Sequence, residues 1–373
     1  MTLHFLEDAV PDAFRHLCEV EDFTEIVVGS SIARREVLYR DLLSAVQGAG
    51  REVRTLDSGL TITDLGSISL RRGGGTILAI GGGRLIDSLK ILCERSGRDL
   101  VALPTSLSND GFASGCSSLP KGPGGSFETR VSRRPRAVWC VAPILRRAPA
   151  EFFASGVGEL LSKYNVIEDV RPTVSEERLH EVYDEPLRCI DRLAAAMPCR
   201  WDAGGFITEL ADSLYRFSIL MQTDSELCSR SEHEFEKACL AGGVVQPHGL
   251  LVMVGALVAM RLRSAPSRPQ RGFAVSTYES LLERIDRLGL IARALECSRA
   301  VLGALREAKM QQSLAALSML RPSRFGLWNE IDSLDVDWPT VLRGVEWDLA
   351  RRSDLEAGVP SRGESRHRES TLL

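Results

Sequence analysis

The first 150 residues alternate short β-rich runs with amphipathic helical segments, and this alternation restricts the fold more than any other feature of the chain. Strands and helices in alternation predict a parallel sheet with helices on both faces, an architecture typical of nucleotide-binding domains. Helical periodicity covers segments such as Ile32–Val46 and Leu85–Cys93. The predicted strands are Glu25–Val28, Glu52–Leu56, Thr76–Ile80, Leu100–Leu103 and Ala137–Val141.

Beyond Ala150 the pattern becomes wholly helical, which predicts a helical bundle over residues 151–350. We expect an α/β domain followed by an all-α domain, with a functional site in a cleft between them. Two stretches, Arg263–Arg271 and the tail over 351–373, are polar and poor in apolar residues, so we expect solvated chain in both and a disordered tail. The predicted helices are Phe152–Val166, Leu179–Ala196, Phe206–Leu227, Glu232–Ala241, Gly249–Leu262 and Ser276–Leu288.

Composition excludes several classes of function. A formal net charge of −4 gives the chain no overall attraction for nucleic acid phosphates. The nine cysteines include no CxxC pair, which is typical of reduced thiols in a cytoplasm. The longest apolar run, Gly249–Met260, is too short to span a bilayer, and the acidic N-terminal segment does not fit a secretory signal. We therefore predict a cytoplasmic protein that binds neither nucleic acid nor membrane.

A glycine-rich turn follows the third predicted strand. Gly81, Gly82 and Gly83 stand between the apolar run that begins at Thr76 and a helical segment. Glycines allow a close backbone approach to a diphosphate, and the helix N-terminus supplies N–H donors. The spacing is not that of the common GxGxxG fingerprint, so a simple strand-to-helix turn remains the alternative.

A second polar loop follows the next strand along the chain. After Pro104 come hydroxyl and amide side chains through Ser114. The carboxyl ends of parallel strands lie at one edge of the sheet, where ligands bind, so we expect the two loops to converge.

Together these motifs, GGGxxxD after a strand and then PTxxSxDGxAS, resemble the sn-glycerol-1-phosphate dehydrogenase family, within the superfamily of iron-type alcohol dehydrogenases and dehydroquinate synthase. The similarity extends from about Glu25 to Arg321–Phe325. It implies a Rossmann-like domain, a helical domain, a nicotinamide cofactor NAD(P)(H) and a divalent metal. The implied cofactor-binding residues are Gly81, Gly82, Gly83, Asp87, Thr105, Ser106, Ser108, Ser114, Ser30 and Arg34.

Members of the family usually carry an acidic residue after the first of these strands, near the adenosine ribose. Here Ser30 stands in that region, and Arg34 and Arg35 follow. Without the carboxylate, a 2′-phosphate is not repelled and arginine can pair with it, so we hypothesise that NADP(H) is accepted at least as well as NAD(H). A strong preference for NADH would instead indicate Asp57 as a substitute.

The resemblance also implies a metal site. In the family, the motifs GDLxxK, SEHxxxH and a later HG carry a ligand carboxylate and two ligand histidines. Glu159, His233 and His248 occupy these positions. Two imidazoles and one carboxylate leave a coordination position open for substrate, as in catalytic zinc sites. The same donors suit Zn²⁺, Fe²⁺ or Ni²⁺, and we expect zinc.

The substrate region departs from the family pattern. Glu159 replaces the usual Asp, Lys237 replaces a second histidine, and Leu250 follows the final HisGly where Glu is usual. We expect Asp110, Lys237 and Lys163 to contact a small, phosphorylated or otherwise anionic substrate. For Lys163 the simpler interpretation is an intrahelical ion pair with Glu159.

The expected reaction is the metal-dependent reduction of a small keto compound, with dihydroxyacetone phosphate to sn-glycerol 1-phosphate as the reference. Two alternatives stay open: a sugar-phosphate cyclase that uses NAD without net redox change, and a catalytically silent nucleotide-binding relative. Glu159 favours the cyclase, which carries Glu there, whereas the absence of the cyclase motif GGKxGxN is against it. The sequence is compatible with a homo-oligomer but indicates no interface.

Overall fold

The fold was determined as a computed structural model. Arg35 and residues 321–325, both named above, lie outside the described residues, as does most of the segment between Arg263 and Arg271. The structure describes residues 1–34, 40–42, 44, 51–70, 73–122, 127–196, 204–264, 271–319, 327 and 336–356.

A six-stranded parallel sheet organises the N-terminal half of the chain. The strands are β1 Thr2–Leu6, β2 Glu25–Gly29, β3 Glu52–Leu56, β4 Thr76–Gly81, β5 Asp99–Pro104, β6 Cys116–Pro120, β7 Phe127–Val131 and β8 Ala137–Val141. The strand order in the sheet is β1-β8-β5-β4-β2-β3, and β6 and β7 form a separate antiparallel hairpin.

Burial explains why the central strands were recognisable in the sequence. Every residue of β2, β4 and β8 is buried, as expected for central strands covered on both faces. All five predicted strands are confirmed within one or two residues. The strand β1 and the β6–β7 hairpin were not predicted: β1 is a half-exposed edge strand, and β6 is serine-rich and only partly buried.

Most helices begin and end within a few residues of the predicted limits. The helix predicted over Ser276–Leu288 begins earlier, at Arg271, and residues 35–39, 43, 45 and 46 of the predicted segment Ile32–Val46 lie outside the described residues. Three further differences concern where helices break or end. The segment predicted as one helix over Phe152–Val166 forms two helices that meet at Ser162. The helix predicted over Phe206–Leu227 ends at Thr223 and is followed by a short 3₁₀ turn. The predicted disordered tail is wrong for residues 351–356, because the last helix continues through Glu356, and residues 357–373 lie outside the described residues. The helices are α1 Val10–Val20, α2 Ser30–Ala33, α3 Ile62–Leu65, α4 Gly83–Ser96, α5 Ala142–Leu145, α6 Ala150–Leu161, α7 Lys163–Val170, α8 Glu176–Ala196, α9 Gly204–Thr223, α10 Ser231–Ala241, α11 His248–Arg263, α12 Arg271–Arg287, α13 Ile291–Ala304, α14 Ala308–Ala315 and α15 Trp338–Glu356.

The chain divides into two compact units. The first contains the sheet and comprises Met1–Leu160, Glu185–Cys228 and Pro247–Gly249. In its core, apolar side chains of α1 such as Phe14 pack against the buried strands. The second comprises Leu161–Asp184, Ser229–Gln246 and Leu250–Leu373, and its described residues form helices and turns without strands. The predicted fold class, a parallel α/β part plus a helical part, is confirmed, whereas the predicted domain boundary near Ala150 stays a prediction.

Candidate active site

The glycine turn lies where β4 passes into α4. Gly82 is the N-cap of α4 and no side chain caps the helix, so its first N–H groups face outward from the turn. A Cβ on Gly81 would lie 2.5 Å from Leu85 Cδ2, so a side chain at this position would require Leu85 to move. The first turn of α4 contains no acidic residue. These features provide what a diphosphate needs at a helix N-terminus.

The loop after β5 meets the glycine turn, as the sequence predicted. Thr105 donates its backbone N–H to the carbonyl of Gly81 at 3.0 Å. A Cβ built on Gly82 would lie 3.7 Å from Ser106 Oγ, and one on Gly83 would lie 3.5 Å from Asn109 Oδ1. The two loops therefore form one polar surface at the carboxyl edge of the sheet.

Within this loop, several side chains are bonded to backbone. Ser114 is buried and its hydroxyl donates to the carbonyl of Cys116 at 3.3 Å. Asn109 Oδ1 accepts from the N–H of Gly111 and caps the 3₁₀ turn Asp110–Phe112. Asp110 is half-buried at the start of that turn. The roles of Ser114 and Asp110 toward cofactor and substrate stay predictions.

A buried lysine that the sequence did not single out fixes this turn. Lys90 is fully buried, and its Nζ donates to Asp87 Oδ1 at 2.9 Å and to the carbonyls of Gly111 and Cys116 at 2.5 and 2.8 Å. Asp87 Oδ2 accepts from the backbone N–H of Ser118 at 3.0 Å. Burial raises the pKa of Asp87, and the charge of Lys90 opposes that rise. Asp87, which was predicted to bind the cofactor, is thus bonded to groups of the protein itself. The sequence signal for this ion pair was an Asp and a Lys three residues apart in an apolar helix.

A charged cluster forms at the ends of β2 and β3. Ser30 Oγ donates to Asp57 Oδ1 at 2.9 Å, and Arg34 donates to Ser30 Oγ at 3.4 Å. The N–H of Gly59 and the Ser30 hydroxyl hold the pKa of Asp57 below its ordinary value. An ionised carboxylate from β3 therefore stands beside Ser30, although none follows β2 in the sequence.

Two predicted metal ligands are in direct contact. Glu159 Oε2 and His248 Nε2 are 3.1 Å apart. This separation suits neighbouring ligands of one ion, because donors about 2.1 Å from a tetrahedral zinc lie roughly 3.4 Å apart. Glu159 is buried and His248 is about one-third exposed.

Glycines and one serine create that contact. Ser155 Oγ accepts from the N–H of Gly249 at 2.9 Å and donates to the carbonyl of Ser108 at 2.8 Å. A Cβ on Gly249 would lie 1.8 Å from the carbonyl oxygen of Ser155, and one on Gly156 would lie 2.0 Å from that of Leu107. Backbone therefore packs directly on backbone, which places the start of α11 and the loop after β5 against the same stretch of α6.

The third predicted ligand, His233, is buried in the first turn of α10. The candidate ligand atoms of Glu159, His233 and His248 all lie within 4.8 Å of one another. This is the one such group of His, Cys, Asp or Glu among the residues that the structure describes. One carboxylate and two imidazoles suit a divalent transition metal.

The two predicted substrate lysines have different surroundings. Lys237 is 49% exposed, and its Nζ donates to Glu234 Oε1 at 2.7 Å within α10. Lys163 is buried at the start of α7 and lies close enough to Glu232 to lower the pKa of that carboxyl. Contact of either lysine with a substrate stays a prediction.

Known proteins are similar to this chain in sequence or in fold. A model of the iron-containing alcohol dehydrogenase family matches residues 7–149. Glycerol dehydrogenase from Schizosaccharomyces pombe superposes with a TM-score of 0.65 at 16% identity, over 98% of this chain and 94% of that one. An iron-containing alcohol dehydrogenase from Thermotoga maritima superposes with a TM-score of 0.59 at 12% identity, over 94% of this chain and 97% of that one. The N-terminal part of the chain is therefore similar in sequence to the iron-containing alcohol dehydrogenase family, and these solved structures share its fold.

The sequence is also similar to glycerol-1-phosphate dehydrogenases [NAD(P)+]. The relative from Thermofilum pendens is 31% identical over 50% of this chain and 56% of its own length. The relative from Methanothermobacter thermautotrophicus is 27% identical over 59% of this chain and 65% of its own length. The chain thus spans less than two thirds of the length of these relatives. No described helix is long and apolar enough to cross a membrane.

Proposed function

We propose that this chain is a metal-dependent oxidoreductase that uses NAD(P)(H) to reduce a small keto phosphate, with dihydroxyacetone phosphate as the first candidate. The observation that carries the proposal is the position of Ser155. Its hydroxyl bonds to Ser108 in the cofactor loop and to Gly249 beside a ligand histidine, and Glu159 follows one helical turn later. The residues for cofactor and metal are therefore joined through a single helical turn.

Glu159, His233 and His248 would hold the metal, and zinc is the ion we expect, with Fe²⁺ and Ni²⁺ as further candidates. When bound, the ion supplies Lewis-acid polarisation of a carbonyl oxygen and the nicotinamide supplies hydride. The coordination position that these three residues leave open is the place for a substrate oxygen. The match of residues 7–149 to the iron-containing alcohol dehydrogenase family supports this assignment.

The glycine turn would bind the diphosphate of the cofactor. The uncapped N–H groups at the start of α4 are donors for phosphate oxygens, and Gly82 and Gly83 leave room for their approach. Thr105, Ser106 and Ser108 would line the nicotinamide side. Asp110 would orient a substrate hydroxyl. Lys237 would release its bond to Glu234 and pair with the substrate phosphate instead.

Both forms of the cofactor have a recognisable partner at the ends of β2 and β3. Arg34 can pair with a 2′-phosphate, whereas the Asp57 carboxylate can accept hydrogen bonds from ribose hydroxyls and repels phosphate. We therefore expect NADH and NADPH both to bind, with Asp57→Asn shifting the ratio of their dissociation constants toward NADPH. An unchanged ratio would place the ribose elsewhere.

The test uses protein reconstituted with zinc, dihydroxyacetone phosphate as substrate, and the absorbance of NADH or NADPH as the readout. We expect cofactor oxidation in the wild type and at least about a 100-fold loss in Glu159→Ala, together with loss of stoichiometric zinc. Glu151→Ala is the matched control, because Glu151 is an exposed carboxylate in the first turn of the same helix. Equal rates in the two variants would refute the role of Glu159.

A second candidate is the sugar-phosphate cyclase that uses NAD without net redox change, and the glutamate at position 159 favours it. Screening sugar phosphates for products formed without net loss of cofactor distinguishes the two reactions. A protein that binds nucleotide but no stoichiometric metal would instead be a catalytically silent relative. Cytoplasmic location and homo-oligomerisation stay predictions for fractionation and for mass measurement in solution.

A further inference from the structure

A buried polar network surrounds the start of α10, next to His233. Its central member is Glu232, which is fully buried and whose Oε1 lies 2.8 Å from His233 Nδ1. An ionised carboxylate can only accept, so in this contact Nδ1 carries the proton and donates it. The nitrogen that would coordinate a metal is then Nε2.

Glu232 itself is held from both sides. The backbone N–H of Arg230 donates to Oε1 at 2.9 Å, and Asn165 Nδ2 donates to Oε2 at 2.5 Å. Both oxygens of Glu232 therefore accept hydrogen bonds, as those of an ionised carboxylate do, and these bonds fix the group in one orientation.

The donors to Glu232 are in turn fixed by α7 and α11. Arg263 Nη1 donates to Asn165 Oδ1 at 2.6 Å, so the amide of Asn165 must point its nitrogen at Glu232. Asp169 accepts from Arg263 and from both the backbone N–H and the hydroxyl of Ser231, at 3.1 and 2.6 Å for the serine donors. A continuous chain of polar contacts thus runs from Arg263 through Asn165 to the imidazole ring.

We propose that Glu232 is a positioning residue that fixes the tautomer and ring orientation of His233 for metal binding, through the network of Asn165, Asp169 and Arg263. This inference rests on the proposed metal site. A carboxylate bonded to the second nitrogen of a ligand histidine increases the basicity of the ligand and reduces the freedom it loses on coordination. Burying an ionised carboxylate is costly unless it is fully bonded, so a purely space-filling role would be met better by an apolar side chain.

The main experiment compares zinc dissociation constants, measured by chelator competition, for the full-length wild type and variants. Glu232→Gln should weaken zinc binding about 10- to 100-fold, since the neutral amide polarises the imidazole less. Glu234→Gln is the matched control: it removes another buried carboxylate two residues along the same helix, one that bonds to Lys237 and not to the network. We expect its zinc affinity to stay at the wild-type value.

A second measurement needs no variant at position 232. Nitrogen NMR of labelled histidines in the metal-free wild type, at a pH where the ring is neutral, should show His233 protonated on Nδ1; His233→Gln identifies its signal. Wild-type zinc affinity in Glu232→Gln, or an Nε2-protonated ring, would overturn the positioning role alone. A wild type without zinc affinity would overturn the proposed metal site and the positioning role with it.

Discussion

Replacing Gly249 by alanine should disrupt the contact that places His248 beside Glu159. The new Cβ would lie 1.8 Å from the carbonyl oxygen of Ser155 and 2.7 Å from its carbonyl carbon. Ordinary contact begins at 3.4 Å, so the backbones must separate by about 1.6 Å, the difference between these two distances. No rotamer change relieves the overlap, because both neighbours are backbone atoms.

Overpacking of this kind typically lowers the free energy of unfolding by about 1–3 kcal/mol. We expect an overlap with rigid backbone to lie at or above the upper end of that range. A free energy of unfolding lowered by about 3 kcal/mol corresponds to a melting temperature lowered by roughly 6–12 °C in a domain of 150–250 residues. Thermal denaturation of the metal-free protein measures this loss. We also expect zinc affinity to fall, because the retreat of His248 from Glu159 separates two ligands that are now 3.1 Å apart.

Gly303→Ala is the matched control for that substitution. Gly303 lies in α13 and a Cβ there would meet no atom within 4 Å, so alanine should stabilise the helix by about 0.5–1 kcal/mol. If Gly249→Ala melted like the control and kept its zinc affinity, the reasoning from backbone contact to ligand position would be refuted.

Two further predictions concern buried groups. Lys90→Met should lower the free energy of unfolding by about 3–5 kcal/mol, because the buried Asp87 carboxylate loses its cation; chemical denaturation measures this, and Asp87→Asn in the same chain should recover part of the loss. At pH 8, iodoacetamide should modify Cys140 at least about 30-fold more slowly than a thiol of ordinary pKa 9.0, because burial raises the pKa of Cys140 to about 12 and the lost thiolate outweighs its higher nucleophilicity; rapid labelling detected by mass spectrometry would contradict its burial.

The sequence predicted those parts of the fold whose signal is local. The central strands are continuous apolar runs because helices cover both faces, and runs such as Thr76–Ile80 are recognisable without knowledge of their neighbours. The edge strand Thr2–Leu6 has no such signal, since its place in the sheet depends on pairing with Ala137–Val141 at the far end of the domain. The helix break at Ser162 likewise follows no proline or glycine.

In the candidate site too, the sequence identified the residues with a local signal but not how they are arranged. Motif positions identified Glu159, His233 and His248, and the structure brings their ligand atoms together. The residues that fix them were missed, because Ser155 and Glu232 gain their roles only from partners such as Asn165 that are distant in sequence. Their one local signal was proximity to a predicted ligand, at i−4 for Ser155 and i−1 for Glu232.

Glycine contacts, more than the ligands themselves, define the dimensions of this site. Gly156 lets α6 rest on the backbone of the loop after β5, and Gly249 lets the start of α11 rest on α6. With both distances set by backbone atoms, the length of the side chain at position 159 decides where its carboxylate reaches. The glutamate, one methylene longer than the aspartate usual in the resembled dehydrogenases, therefore brings its oxygen to His248 without any closer approach of the helices, which the glycines have already brought to their limit.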